Sequence, residues 1–268
     1  MLEQIVLNNF LLFNNYQQFN LKRINLLTGL NKTGKTDFLK SILLIRQSLF
    51  SLSKHNKLTL NSKIIKFGKI NHISNNRELF IKIKYDDSIH TFKSLSIENS
   101  IVGEQEWGKV KIGKIHDYQN MPKISNKELD KILGILRDIM YGHRRWDSAM
   151  ALILGSLRAK PNDIIISEHP ASRFHPYVQK ELIRALFWKK KDNVQWFIET
   201  HNETVFNAFR ILVKKQNIDS NDLNILHFTH ENGASPIPVK VESDGSIENW
   251  PEYFFDQNDR DYEELFEF

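Results

Sequence analysis

Residues Gly29–Thr36 read G-L-N-K-T-G-K-T, the spacing G-x-x-x-x-G-K-[ST] of a phosphate-cradling loop. Its neighbours suit it. Ile24-Asn25-Leu26-Leu27-Thr28 is a short apolar run with strand character, and Asp37–Ile45 reads as an apolar-striped helix. The order is physically required, because glycines let backbone N–H groups wrap a polyphosphate while the helix N-terminus adds its positive dipole end. Lys35 then reaches the terminal phosphates and the Thr36 hydroxyl holds Mg²⁺. The candidate binding set is Gly29, Asn31, Lys32, Thr33, Gly34, Lys35, Thr36 and Asp37. The bland alternative, a lysine-rich turn that matches by chance, leaves the flanking strand and helix unexplained.

The rest of the chain divides into two grammars. Leu2–Phe13 alternates roughly apolar and polar and predicts strands that lead through Phe19–Arg23 into the strand before the loop. The helix after the loop is expected to run to about Leu52. Ile64–Ile73 mixes strand character with a glycine turn. Leu79–Tyr85 has period-2 alternation, His90–Ile97 repeats it more weakly, and Val110–Ile115 offers a third strand, which together predict an antiparallel meander with one solvated face. Lys127–Met140 and Ala149–Leu157 carry apolar residues at helical spacing.

Beyond them, Asp163–Ile166 and Val194–Ile198 are short, mostly apolar runs, as in a buried parallel sheet. Helical stretches Tyr177–Lys191 and Thr204–Gln216 follow them. Leu223–Phe228 adds a strand and Pro238–Val241 an edge strand. Strand and helix alternating after a P-loop predict an α/β nucleotide-binding core with a mixed sheet, an antiparallel β lobe and a short helical insert. The expected division is a core of 1–53 and 149–241, an insert of 54–148 and a C-terminal segment of 242–268.

Charge is uneven. The net charge is +5, yet Val241–Phe268 alone carries −9, so the remainder carries +14. A basic body keeps nucleic acid open as a partner; lysine abundance, or the acidic segment folding back, explains it equally well. With no cysteine, neither disulfides nor thiolate metal sites are available, and the reducing cytoplasm is the expected compartment. No stretch approaches the ~20 apolar residues of a membrane-spanning helix.

Two strand ends carry the chemistry. Ile164–Ile166 runs into Ser167-Glu168-His169-Pro170, and Phe197-Ile198 into Glu199-Thr200-His201. Parallel strands deliver side chains at their carboxyl ends, where the ligand crevice lies. Glu168 is therefore the expected Mg²⁺ carboxylate, and His201 a group that contacts a terminal phosphate or positions water.

The P-loop, the run Ile166–Pro176 and Glu199-Thr200-His201-Asn202, in that order, resemble the ABC/SMC-like AAA family ATPases, including the OLD-like, defence-associated group. In that group the middle element reads E-[EN]-P-E-A-H-L-H-P. The ending Asp244-Gly245-Ser246-Ile247-Glu248-Asn249-Trp250-Pro251-Glu252-Tyr253-Phe254-Phe255-Asp256 resembles the G-x-I-x-x-W-P-x-x-F-F-D ending of one subfamily, and Asn9-Phe10 and Arg46-Gln47-Ser48 fall where it has them. The resemblance implies ATP and Mg²⁺ held between two heads that dimerise head to tail. Glu168 becomes the Walker B acid, His201 the switch histidine, and Asn71 or His72 lies near a Q-loop-like contact. His169 takes a place that usually holds a catalytic Glu or an Asn, Ala171 replaces a second Glu, and in the degenerate signature Tyr141–Ser148 only Gly142 and Ser148 look familiar. Arg144 and Arg145 there are either substitutes for lost signature contacts or a basic surface patch.

These departures favour ATP binding with slow or impaired hydrolysis, with Glu168, His169 and His201 as the catalytic candidates. The expected function is a nucleotide-gated dimer switch for a separate effector, a nuclease or toxin in bacterial anti-phage defence. A DNA-associated SMC-like maintenance ATPase and, further off, a small P-loop kinase are the alternatives; no long heptad arm supports the former. The aromatic ending predicts that Trp250, Phe254 and Phe255 are buried.

Overall fold

A computed structural model of the chain describes residues 1–51, 58–74, 77–85, 88–94, 101–104, 152–153, 155–157, 159–170, 172, 174–187, 193–230 and 235–266. In chain order the elements are β1 (Leu2–Asn8), β2 (Gln17–Asn20), β3 (Ile24–Gly29), α1 (Lys35–Ser51), α2 (Asn71–Ser74), β4 (Phe80–Tyr85), β5 (Ser88–Ser94) and β6 (Ile101–Glu104). There follow β7 (Ile164–Glu168), α3 (Pro176–Leu186), β8 (Gln195–Glu199), α4 (Glu203–Lys214), β9 (Leu223–Phe228), β10 (Pro236–Val239) and α5 (Gln257–Phe266).

The mostly apolar strands assemble as their composition requires. They form a sheet in the order β10-β9-β3-β8-β7, parallel except for the antiparallel edge strand β10. Successive side chains alternate between two cores. Leu26, Trp196, Ile198 and Ile225 face α3 and α4, whereas Leu27, Phe197, Leu226 and Phe228 face α1. The inner strands β3, β8 and β9 are buried on both sides, which is why none of them shows apolar–polar alternation. Each large side chain so buried contributes about 1.5–3 kcal/mol.

The second sheet is antiparallel, in the order β2-β1-β4-β5-β6. It alternates as read: Ile81, Ile83 and Tyr85 are buried while Phe80, Lys82 and Lys84 are half-buried. Its inner face joins Leu2, Ile5 and Leu7 to Phe38, Leu39 and Ile42 of α1 in one core, so α1 lies between the two sheets. β1 and β2 belong to this sheet rather than to the one that holds the P-loop.

Ile64–Ile73 forms an isolated bridge, Asn61↔Lys66, and the helical turn α2, in place of a strand. The cause is a buried side chain. Gln47 Oε1 accepts from Ser62 Oγ (2.6 Å) and Ile65 N (3.2 Å), and its amide nitrogen donates to the Thr59 carbonyl. Backbone groups satisfied in this way need no neighbouring strand.

The ending also differs from expectation. Phe254 is fully buried and Phe255 half-buried, but Trp250 is 42% exposed. Its ring lies at the rim, where its indole N–H reaches the Phe254 carbonyl (2.5 Å) and the Arg210 guanidinium lies 5.4 Å from it. Val110–Ile115, Lys127–Met140, Tyr141–Ser148, Ala171 and Lys189–Lys191 lie outside the described residues. Among those described, no helix is long and apolar enough to cross a membrane.

Candidate nucleotide site at the strand ends

The central strand β3 ends at Gly29, with φ +119°. A Cβ there would sit 2.0 Å from the Phe228 carbonyl oxygen of the adjacent strand β9, so only glycine fits. The loop then turns through Lys32 at φ +60° and is fastened by Thr33 Oγ1, which donates to the Leu30 carbonyl at 2.8 Å. α1 begins at Lys35, aiming its N-terminal end at the loop. The cleft above has a volume of about 450 Å³ and is lined by Leu12, residues 31–37, His169, Glu199 and His201.

Lys35 is 3% exposed and folds back on its own loop, donating to the carbonyls of Gly29 (3.1 Å) and Leu30 (2.5 Å). Burial pulls its ammonium below the ordinary lysine pKa, against the attraction of Glu199. Glu199 is also 3% exposed. It ends β8, next to β3, and its carboxylate accepts from Thr36 Oγ1 at 3.3 and 3.5 Å. Burial pushes its pKa up; Lys35, His169 and the Thr36 hydroxyl oppose that, and Glu168 adds to it. A hydroxyl and a carboxylate side by side are hard oxygen donors suited to Mg²⁺, whose remaining positions water and phosphate oxygens fill.

The histidines form the outer wall. His169 stands just past β7 in the left-handed conformation, φ +48°, and its backbone N–H donates to the Glu199 carbonyl at 2.8 Å. That bond lays its ring against His201, with centroids 4.9 Å apart and planes 23° apart. Burial, then Lys35 and His169, lowers the His201 pKa, and a backbone contact with Gly29 partly offsets this. Asn202 fixes the turn beyond: its Oδ1 caps α4 at Thr204 N (2.8 Å) and its amide donates to buried Gln179 Oε1 (2.7 Å).

The structure thus brings Asn31, Lys32, Thr33, Gly34, Lys35, Thr36, Asp37, His169 and His201 into one cleft, with Gly29 at its base. Glu168 pairs in register with Glu199 but is exposed on the next strand out and does not line the cleft. Asn71 and His72, in α2, are exposed and outside it too. Glu199 is not among the site residues expected from the sequence, where it opens the run whose exposed member is His201. The available signal was its position at the end of an apolar strand. Leu12, 44% exposed at the cleft mouth, carries no such signal.

Behind the cleft β9 is sealed. His227 is 1% exposed, its Nδ1 lies 3.2 Å from Thr28 Oγ1, and Phe254 meets its ring edge-on at 4.9 Å. Burial above all, with Lys35 nearby, lowers its pKa to about 4. The C-terminal motif grips α4: Arg210 Nε donates to the Gly245 carbonyl at 2.9 Å. Gly245 has φ +82°, and a Cβ there would lie 2.9 Å from the Arg210 carbonyl oxygen.

A crystal structure of an SMC head bound to the C-winged helix domain of ScpA aligns with a TM-score of 0.52 at 10% identity, over 90% of this chain and 98% of that one. The fold resembles an SMC ATPase head. A second such head, from Thermotoga maritima, aligns over 90% of this chain and 99% of its own at 14% identity, with a TM-score of 0.44. A family model described as a protein of unknown function (DUF3696) matches residues 218–265, which contain the Asp244–Asp256 motif. No curated protein matches the chain. The chain therefore has an α/β fold of the kind seen in SMC heads.

Proposed function

We propose that this chain is an ATP-binding head that closes head to tail on a second copy when ATP and Mg²⁺ occupy the cleft. The observation that carries this reading is the meeting of Lys35 and Thr36 with buried Glu199, under His201, in a cleft with an exposed rim. Bound ATP draws the Lys35 ammonium from the Gly29 and Leu30 carbonyls onto phosphate oxygens. Thr36 and a strand-end carboxylate hold Mg²⁺; Glu199 is the nearer and Glu168 the outer one.

Water attack on the terminal phosphate needs a group that orients the water and stabilises developing charge. The position after Glu168 holds His169 in place of a carboxylate, and Glu199 is engaged with Thr36 and Mg²⁺, so the water falls to the imidazoles of His169 and His201, turnover is slow and the ATP-bound dimer long-lived. A long-lived dimer suits a switch. The solved head that aligns here is bound to a domain of another protein, and by analogy this dimer controls a separate effector, a nuclease or toxin in anti-phage defence.

Light scattering tests the proposal. With saturating ATP and Mg²⁺ the molar mass of the wild type doubles, and Lys35→Ala stays monomeric under the same conditions. A wild type that binds ATP yet keeps its monomer mass ends the switch reading.

A further inference from the structure

The cleft also holds a mixed nitrogen and oxygen donor set that the pairing of Thr36 and Glu199 at Mg²⁺ does not account for. A ring nitrogen of His169, a ring nitrogen of His201 and a carboxylate oxygen of Glu199 all lie within 4.8 Å of one another. Two imidazoles and one carboxylate on adjacent strand ends are unlike the all-oxygen surroundings that Mg²⁺ selects. Imidazole favours the later first-row divalent ions, and a two-histidine, one-carboxylate set leaves positions open for water or another ligand.

We propose that His169, Glu199 and His201 form a site for a divalent transition ion such as Co²⁺, Ni²⁺ or Zn²⁺, distinct from the Mg²⁺ position beside Thr36 although it shares Glu199. The geometry is close to what such an ion needs. Ligand atoms at metal distances of ~2.0–2.1 Å stand roughly 3.3 Å apart in a tetrahedral site. Both histidines are exposed at the cleft wall, where turning their side chains closes the remaining gap, and Glu199 is held from behind by Thr36. The His169 backbone bond to the Glu199 carbonyl fixes the separation of the two strand ends. An ion there lies in the same cleft as Lys35 and Thr36, so its open positions face whatever that cleft holds. Lys35 is the opposing charge: it acts on both Glu199 and His201 and repels a cation.

This inference does not rest on the nucleotide reading, and its test uses the full chain without nucleotide. Titration with Co²⁺, followed by visible absorption and calorimetry, is expected to show one saturable site with nitrogen coordination. His169→Asn, which tolerates the left-handed backbone, and His201→Asn each weaken it at least about tenfold, a loss already typical of outer-shell partners. Lys35→Ala tightens Co²⁺ binding while it weakens ATP binding, a divergence that separates the two sites. The proposal is overturned by absence of saturable binding below about millimolar Co²⁺, a level weaker than about 4 kcal/mol of binding. It is equally overturned by unchanged binding in the double His→Asn variant, by displacement with equimolar Mg²⁺, or by weaker metal binding in Lys35→Ala.

Discussion

The two strands that flank the P-loop strand are both mostly apolar, and they have opposite endings. β8 and β9 both run parallel to β3 and are buried along their length, apart from half-buried Asn224. β8 ends in Glu199, Thr200 and His201, whose two ionisable groups open onto the cleft. β9 ends in His227 and Phe228; His227 lies under Phe254, meets Thr28 Oγ1 and does not line the cleft. Both ends carry a group whose pKa is displaced by burial, but only one can meet a ligand. What covers a strand end decides its use: the Asp244–Asp256 segment is a wall on the β9 side, whereas among the described residues the β8 end opens onto the cleft.

The largest expected effect falls on that wall. Phe254→Ala removes a fully buried ring that contacts Phe206, His227, Trp250 and Phe255, and costs about 3–5 kcal/mol in chemical denaturation. A loss under about 1 kcal/mol, the ordinary cost of a surface change, would mean that β9 is not sealed there.

His227 comes next. It is neutral in the fold because its pKa falls from 6.5 to about 4. A depressed histidine contributes stability that is present above pH 6.5 and is lost as pH falls through about 4. The loss is on the order of 3 kcal/mol across that window. His227→Gln flattens this part of the stability–pH curve; a curve of unchanged slope would contradict the assignment.

The β8 side is tested through ligand affinity. Glu199→Gln weakens Mg²⁺-dependent nucleotide binding about tenfold, which is ~1.4 kcal/mol, and Glu168→Gln, one strand out, by less. The same Glu199→Gln change makes the ligand-free protein melt at higher temperature near neutral pH, since it removes a buried charge whose pKa burial raises. That gain shrinks as pH falls and Glu199 itself becomes neutral. The reverse ranking of the two glutamates would move the metal role to β7. The smallest effect is that of Trp250→Ala, about 1 kcal/mol or less, because the ring is only partly buried.

Much of this was legible in the residues. Gly29–Thr36, the mostly apolar strands and the polar endings of β7 and β8 follow from spacing and composition, and so does the α/β class. Glu199 was not legible as the carboxylate nearest Thr36, because that depends on β8, rather than β7, lying beside β3, and lateral strand order is not written in local pattern. The bridge and turn at 61–74 were hidden for a similar reason, since the side chain that replaces a strand partner, Gln47, comes from a distant helix. Trp250 was misjudged because aromatic content speaks for burial while the Arg210 guanidinium and the Phe254 carbonyl hold it at the rim.

The account stands most directly on one quantity, the affinity of the cleft for ATP with Mg²⁺, read by titration calorimetry on the full chain. It predicts one saturable ATP site per chain, weakened about a hundredfold by Lys35→Ala, the loss of about two charge-assisted hydrogen bonds at ~1.5 kcal/mol each. No saturable binding to the wild type, or equal binding to Lys35→Ala, would contradict it.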